Sequence, residues 1–209
     1  MAYRPTHKTM LRKAEIRQRL LDAALGRVAA GGFTSLTMQA VAAEAGIATG
    51  AVYKHFESKA ALCTELFRLA TEREVEVVCQ TALGEGSASE RLLKTIDAFA
   101  MRALRNPRLA FALIAEPVDA VLDAQRLQYR QAYANVFLEL VESGIRSGEF
   151  TAQTPSVSAA ALVGVIAESL VGPLTWPTSD SSDLKSRTLI TAIQAFCLRA
   201  VVASAPARL

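Results

Sequence analysis

Between Thr37 and Phe56 the chain reads TMQAVAAEAGIATGAVYKHF, two short amphipathic segments hinged on Ala45-Gly46-Ile47. Thr37 stands where a helix cap belongs, and Val41 and Ala45 carry the inner face of the first segment. Gly46 supplies the turn, because a left-handed or crowded backbone favours a residue without Cβ. The second segment starts near Ala48 or Thr49 and is expected to run as a helix to about Phe56. At roughly 100° per residue, Thr49, Gly50, Tyr53 and Lys54 share one face, and Ala51, Val52 and Phe56 share the other. The inner set is apolar. The outer set presents a hydroxyl, a bare backbone, a phenol and an ammonium, the chemistry of a surface that meets DNA.

Charge is distributed to match. The net charge of +3 divides into nine Lys or Arg against four Asp or Glu over residues 1–60, and fourteen against sixteen over residues 61–209. The positive surplus therefore sits with the two hinged segments, as a polyanion-binding module requires. Hydrophobic residues make up 51% of the chain and charged residues 21%, which implies a large core or a subunit interface. Alanine and leucine recur at helical spacing and strand alternation is scarce, so the fold class is all-α.

Gly32-Phe33, Thr37, Val41-Ala42, Ala45-Gly46-Ile47, Gly50, Tyr53-Lys54-His55-Phe56 and Ser58-Lys59 occur in this order and spacing. Over about residues 12–66 the chain thereby resembles the amino-terminal domain of TetR-type transcriptional regulators. Two positions depart from the pattern: Leu36 and Ala48 stand where many relatives carry hydroxyl residues. The second removes a capping hydroxyl from the reading helix and leaves Thr49 to cap it or to bind phosphate. The expected DNA contacts are Thr37, Gln39, Thr49, Gly50, Tyr53, Lys54, His55 and Lys59. Tyr53 offers a hydroxyl to a phosphate and a ring to a sugar or thymine methyl, while Lys54 can reach guanine O6 and N7. Gly50 allows close approach, His55 suits a phosphate, and Thr37 and Gln39 suit phosphate positioning.

The expected organisation is a helix-turn-helix DNA-binding domain over residues 1–60, with a basic arm at 1–11, and a helical ligand-binding and dimerisation domain over 61–209. In the arm, Arg4, His7 and Lys8 either follow the DNA backbone or enter the minor groove, or they form a disordered tail without defined contacts. The first helix is expected from Leu11 to Ala30, with Arg12, Lys13, Arg17 and Arg19 toward its amino-terminal end. Ser58 can cap a long helix from Lys59 to about Leu83, which places backbone N–H groups and the Lys59 ammonium toward phosphate. After a loop at 84–89, helices are expected at about 90–104, 107–115, 118–147, 155–171 and 183–204. Asn106-Pro107, Pro117, Gly148 and Gly172-Pro173 mark breaks among them.

The last two helices are apolar enough to supply two helices each to a four-helix bundle between subunits, as the family resemblance also implies. The residues expected there are Leu162, Val165, Ile166, Leu170, Leu189, Ile193, Phe196 and Ala200. The alternative is that these helices complete the subunit core. Candidate lining for a ligand cavity comes from Phe99, Phe111, Tyr129, Tyr133 and Trp176, with Arg126, Arg130 or Glu168 as polar contacts. Glu168 can equally pair with an arginine across the interface or face water. Glu116, Asp119 and Asp123 read as an acidic patch favoured by a helix start.

The chain offers little for catalysis. No P-loop or GxGxxG is present, so no cofactor is expected, and two histidines give no Ser-His-acid set or zinc site. The amino-terminal residues lack the apolar core of a secretion signal, and the run at 159–174 is broken by Glu168, Gly172 and Pro173. A cytoplasmic protein that does not enter the membrane is expected. The leading functional expectation is a homodimeric repressor that binds a near-palindromic operator and is released by a small-molecule effector. The alternatives are a thiol sensor using Cys63, Cys79 or Cys197, and a helical ligand-binding or interaction protein that does not bind DNA.

Overall fold

The computed structural model describes residues 7–175 and 183–202, and these form nine α-helices and one short 3-10 turn. In chain order they are α1 (His7–Gly31), the 3-10 turn (Phe33–Ser35), α2 (Met38–Glu44), α3 (Thr49–Val52) and α4 (Lys59–Ala82). α5 (Ala88–Arg105), α6 (Pro107–Ile114), α7 (Ala120–Ser147), α8 (Pro155–Thr175) and α9 (Asp183–Val201) follow. No strand occurs among the described residues.

Most of the boundaries have visible local causes. Thr37 accepts a hydrogen bond from the Ala40 N–H at 3.1 Å and starts α2, and Ser58 accepts from the Ala61 N–H and starts α4. Ser87 and Glu90 form a reciprocal capping box, so α5 begins at Ala88, ahead of the expected 90. Asn106 caps α6 with Pro107 in its first turn, Asp119 caps α7, and Gly148 ends α7 in the left-handed region.

Other boundaries shift. The first helix begins at His7 rather than Leu11, since no glycine or proline between them stops propagation, and His7 and Lys8 are helical rather than part of an arm. Arg4 lies outside the described residues. α8 continues through Pro173 to Thr175. A proline one turn from the end costs a single intrahelical bond, Leu174 is buried in the core, and the Thr175 hydroxyl donates to the Val171 carbonyl at 2.7 Å.

Two hydrophobic clusters organise the molecule. The first gathers Leu20, Leu21, Ala24 and Val28 of α1, Phe33, Leu36, Val41, Val52 and Phe56, and Leu62, Leu66 and Phe67 of α4. It also takes in Ala112 of α6 and Leu122 of α7, so the amino-terminal head is finished by residues from the second half of the chain. The second cluster is built from Leu92, Ile96 and Ala100 of α5, Phe137, Leu140 and Val141 of α7, and the inner faces of α8 and α9.

Head and body are joined by a buried carboxylate. Glu116, in the loop after α6, is only 4% exposed and accepts hydrogen bonds from the Phe33 N–H at 3.0 Å and the Thr34 N–H at 3.2 Å. Gly32 makes room for it: its φ is +74°, and a Cβ there would lie 2.4 Å from a Glu116 carboxylate oxygen. The Arg108 guanidinium donates to the Gly31 carbonyl beside it. Asp119 and Asp123 behave as the acidic-patch reading expects, one capping α7 and the other paired with Arg126 at 3.0 Å. Glu116 does not, because it serves the head rather than its own helix start.

Candidate nucleic-acid interface and cavity

The exposed end of the head is built around α2 and α3. Gly46 turns between them at φ +64°, and the Arg19 guanidinium donates to the Ala45 carbonyl at the end of α2. Regular α-helix in the reading segment stops at Val52 rather than Phe56. Beyond it the chain tightens, with Lys54 N–H bonding Ala51 O, His55 N–H bonding Val52 O, and Phe56 N–H returning to Val52 O. Ala48 begins α3 without a side-chain cap, consistent with the absent hydroxyl. Phe56 is buried, with the Arg17 guanidinium 4.5 Å above its ring and the same guanidinium paired to Glu65 at 3.0 Å. Arg17 and Arg19 thus brace the head, while Arg12 and Lys13 remain exposed on α1.

Most of the predicted DNA contacts are open to solvent. Gln39, Gly50, Tyr53, Lys54 and Lys59 are exposed, Thr49 and His55 are half-buried, and Thr37 is exposed beyond its capping role. A Cβ built on Gly50 meets nothing within 4 Å, so the backbone there is open to close approach. Tyr53 is half exposed although aromatic, and no packing in the subunit accounts for that. His55 has its pKa lowered by burial and by the nearby charges of Lys13 and Arg17. Its ring is therefore neutral near pH 7 and fit to hydrogen-bond a phosphate, not to add charge.

Helix α4 also forms a wall of a cavity of about 410 Å3, completed by Leu25 of α1 and by α5, α6, α7 and α8. Of the residues expected to line such a site, Phe99, Arg126, Tyr129, Arg130 and Tyr133 do so. Phe111 does not. It packs against the second cluster, and Glu168 stands exposed on the outer side of α8. Trp176 lies outside the described residues. The lining also draws on Phe67, Ala70, Thr71 and Glu74 of α4, at i, i+3, i+4 and i+7, a helical stripe that marks an inward face.

Inside the cavity Arg102 grips Glu74 through two hydrogen bonds of 2.5 and 2.7 Å, which raises the guanidinium pKa. The Tyr133 ring packs edge-on to Phe99 at 5.2 Å, and burial holds its phenol well above the usual range. Arg126 binds the Leu113, Ala112 and Glu116 carbonyls and so fastens the end of α6 to α7. Its pKa is lowered by burial.

The outer face of α8 and α9 is apolar and lacks cover within the subunit. Helix α8 is long and apolar enough to cross a membrane by length and composition, yet only 28% of its most apolar stretch is buried. Its exposed side shows Val157, Ala160, Ala161, Gly164 and Glu168, and that of α9 shows Leu184, Ala192, Phe196 and Ala200. Of the residues expected at a subunit interface, Phe196 and Ala200 are exposed on this side. Leu162, Ile166, Leu170 and Ile193 are instead buried in the subunit's own core, and Val165 and Leu189 are half-buried against it. The assignment of those four to a between-subunit surface is corrected: the apolar stripe has two sides, and they occupy the inner one.

Two of the three thiols are shielded from solvent. Cys63 and Cys197 are buried, and burial raises both, Cys197 to about 11. A buried, protonated thiol is a poor nucleophile, so the burial of these two does not favour the thiol-sensor alternative.

Comparison with known proteins places this geometry. Residues 20–66 match the family model described as bacterial regulatory proteins of the tetR family, and residues 85–170 match a tetracyclin repressor-like C-terminal domain. The HTH-type transcriptional repressor KstR of Mycolicibacterium smegmatis is 33% identical over 99 residues, 47% of this chain and 48% of that protein. The match thus spans about half the length of that relative. KstR2 of Rhodococcus jostii is 26% identical over 148 residues, covering 66% of this chain and 69% of the relative. Among solved structures, the transcriptional regulator FadR of Bacillus subtilis, in complex with stearoyl-CoA, superposes with a TM-score of 0.75 at 19% identity. It covers 87% of this chain and 97% of its own. With a helix-turn-helix head and a helical body each matched in order, the chain belongs to the TetR family of transcriptional regulators.

Proposed function

We propose that the protein is a homodimeric repressor that binds a near-palindromic operator through α3 and leaves it when a small molecule fills the cavity. The observation that carries this reading is the double use of α4. One end follows the reading segment directly, and the middle of the same helix lines the cavity with Phe67, Ala70, Thr71 and Glu74. At roughly 1.5 Å per residue its 24 residues span about 36 Å, so a small tilt at the cavity displaces the reading segment by more than the movement at the ligand. A ligand shifts the balance only as far as it favours one tilt over the other.

Dimerisation through the uncovered face of α8 and α9 hides the apolar surface and sets two reading segments about one DNA turn, roughly 34–36 Å, apart. Tyr53 and Lys54 then meet the major groove, and Lys59 with the amino terminus of α4 meets phosphate. The relatives support repression, since the matched KstR proteins are named as repressors. The FadR neighbour carries stearoyl-CoA, which supports a role for the body in holding a ligand.

Selection of bound fragments from genomic DNA, followed by binding to the recovered operator, tests the reading. Lys54→Ala is expected to lower base discrimination by about 1–3 kcal/mol at one position of each half-site. Tyr53→Ala should weaken all sequences alike. Unchanged affinity and salt slope in both variants, or a monomer that binds the operator fully, refutes it.

A further inference from the structure

The cavity carries a charge that its surroundings do not. Residues 61–209 hold fourteen basic and sixteen acidic side chains, yet five arginines line the cavity beside a single carboxylate, Glu74. Two of the arginines are engaged, Arg102 with Glu74 and Arg126 with the α6 carbonyls and Asp123. Arg73, Arg105 and Arg130 have no ion-pair partner among the described residues. They come from α4, α5 and α7, and all three are exposed. All three belong to the lining of one cavity, and basic groups on a concave low-dielectric wall focus a field that favours an anion.

A second, independent observation lies in the wall itself. Thr71 is 5% exposed and lines the cavity, and its Oγ1 is buried without a hydrogen-bond partner. A mid-helix threonine ordinarily satisfies its hydroxyl on the preceding turn, as Thr81 and Thr95 do here on Val77 and Arg91. The Tyr133 phenol lines the same cavity, near Glu74 and Arg102. An unused buried hydroxyl in the wall is the mark of a site that receives a polar group from outside.

We propose that the cavity takes an anionic amphiphile, with an apolar body among α4, α5, α6 and α7 and a carboxylate or phosphate head at Arg73, Arg105 and Arg130. Thr71 and Tyr133 supply neutral hydrogen-bond donors to its oxygens. The inference rests on the reading of the cavity as an effector site and adds the ligand's chemical class. A cationic or quaternary ammonium amphiphile of the same length meets three like charges and is rejected.

Titration calorimetry on the full chain tests this with dodecanoate, dodecyl phosphate, dodecanol and dodecyltrimethylammonium, each kept below its micellar concentration. The acids should bind at least about tenfold tighter than the alcohol, and the ammonium no tighter than the alcohol. In the variant R73Q/R105Q/R130Q the acid preference should fall to within about threefold, and lysine at the same three positions should restore part of it. That rescue separates charge from misfolding, and the ranking of carboxylate against phosphate identifies the head. An ammonium bound as tightly as the acid, or an acid preference that survives R73Q/R105Q/R130Q, overturns the ligand class while leaving the cavity an effector site. Heat from none of the four amphiphiles overturns the effector-site reading together with it.

Discussion

Replacing Glu116 by alanine should cost the protein more than any surface charge does. The carboxylate is almost fully buried and takes two backbone N–H donors, Phe33 at 3.0 Å and Thr34 at 3.2 Å. Hydrogen bonds to a charged group are worth about 1.5–3 kcal/mol each, and a buried donor left unmade costs about 1–3 kcal/mol. Water reaching the exposed Thr34 side offsets part of that loss, so a net destabilisation of about 3 kcal/mol is expected. Urea unfolding should show it as a lower midpoint at unchanged slope. Glu116→Gln should lie between, because an amide offers one carbonyl oxygen and turns its NH2 toward the second N–H.

Gly32→Ala adds a second arm to the same experiment. Its Cβ would lie 2.4 Å from the carboxylate and its φ is positive, so the single variant suffers both collision and backbone strain. With Glu116 already alanine only the strain remains. The double-variant cycle should therefore give a coupling of at least about 1 kcal/mol. A Glu116→Ala loss below about 0.5 kcal/mol, or strictly additive variants, would refute the view that this carboxylate joins head to body.

Other expectations are as direct. Gly144→Ala should destabilise by about 1–3 kcal/mol in urea, because an added Cβ would sit 2.2 Å from the buried Phe150 ring. Glu149 accepts the Ala88 and Ser89 N–H groups at the start of α5, which depresses its carboxyl pKa to about 2. A depressed carboxylate stabilises above its unfolded value and loses that contribution as the pH falls through the folded one. The melting-temperature gap between wild type and Glu149→Gln should therefore be full near pH 6 and close by about pH 2. Phe196→Lys should yield monomers in sedimentation velocity with the subunit's helicity intact, whereas Ile193→Ala should lower the subunit's own stability by about 2–4 kcal/mol.

What could be read from residues alone was whatever has a local cause. Thr37, Gly46, Ser58, Asn106-Pro107 and Gly148 announce caps and turns within a few positions of where they act, and the structure places each of them there. The outward face of Gly50, Tyr53 and Lys54 follows from helical period alone, although the tightening after Val52 does not. The inward and outward sides of α8 and α9 were illegible because both are apolar. Leu162, Ile166 and Leu170 look no different from an interface stripe until α5 and α7 are seen against them. Glu116 was illegible for another reason: its partners are backbone N–H groups more than eighty residues away, and every residue but proline has one. The α4 wall was readable after the fact, since Phe67, Ala70, Thr71 and Glu74 keep helical spacing, but a polar Thr71 and Glu74 on that stripe disguise it as a solvated face.

Ala112 and Leu122 sit in the head's own core although they belong to α6 and α7. A fragment cut near residue 60 would therefore carry an open floor, and neither piece is a free-standing part that could be transplanted by itself. Heat should melt the chain in one step, and whatever occupies the body should raise the temperature at which the reading segment comes apart.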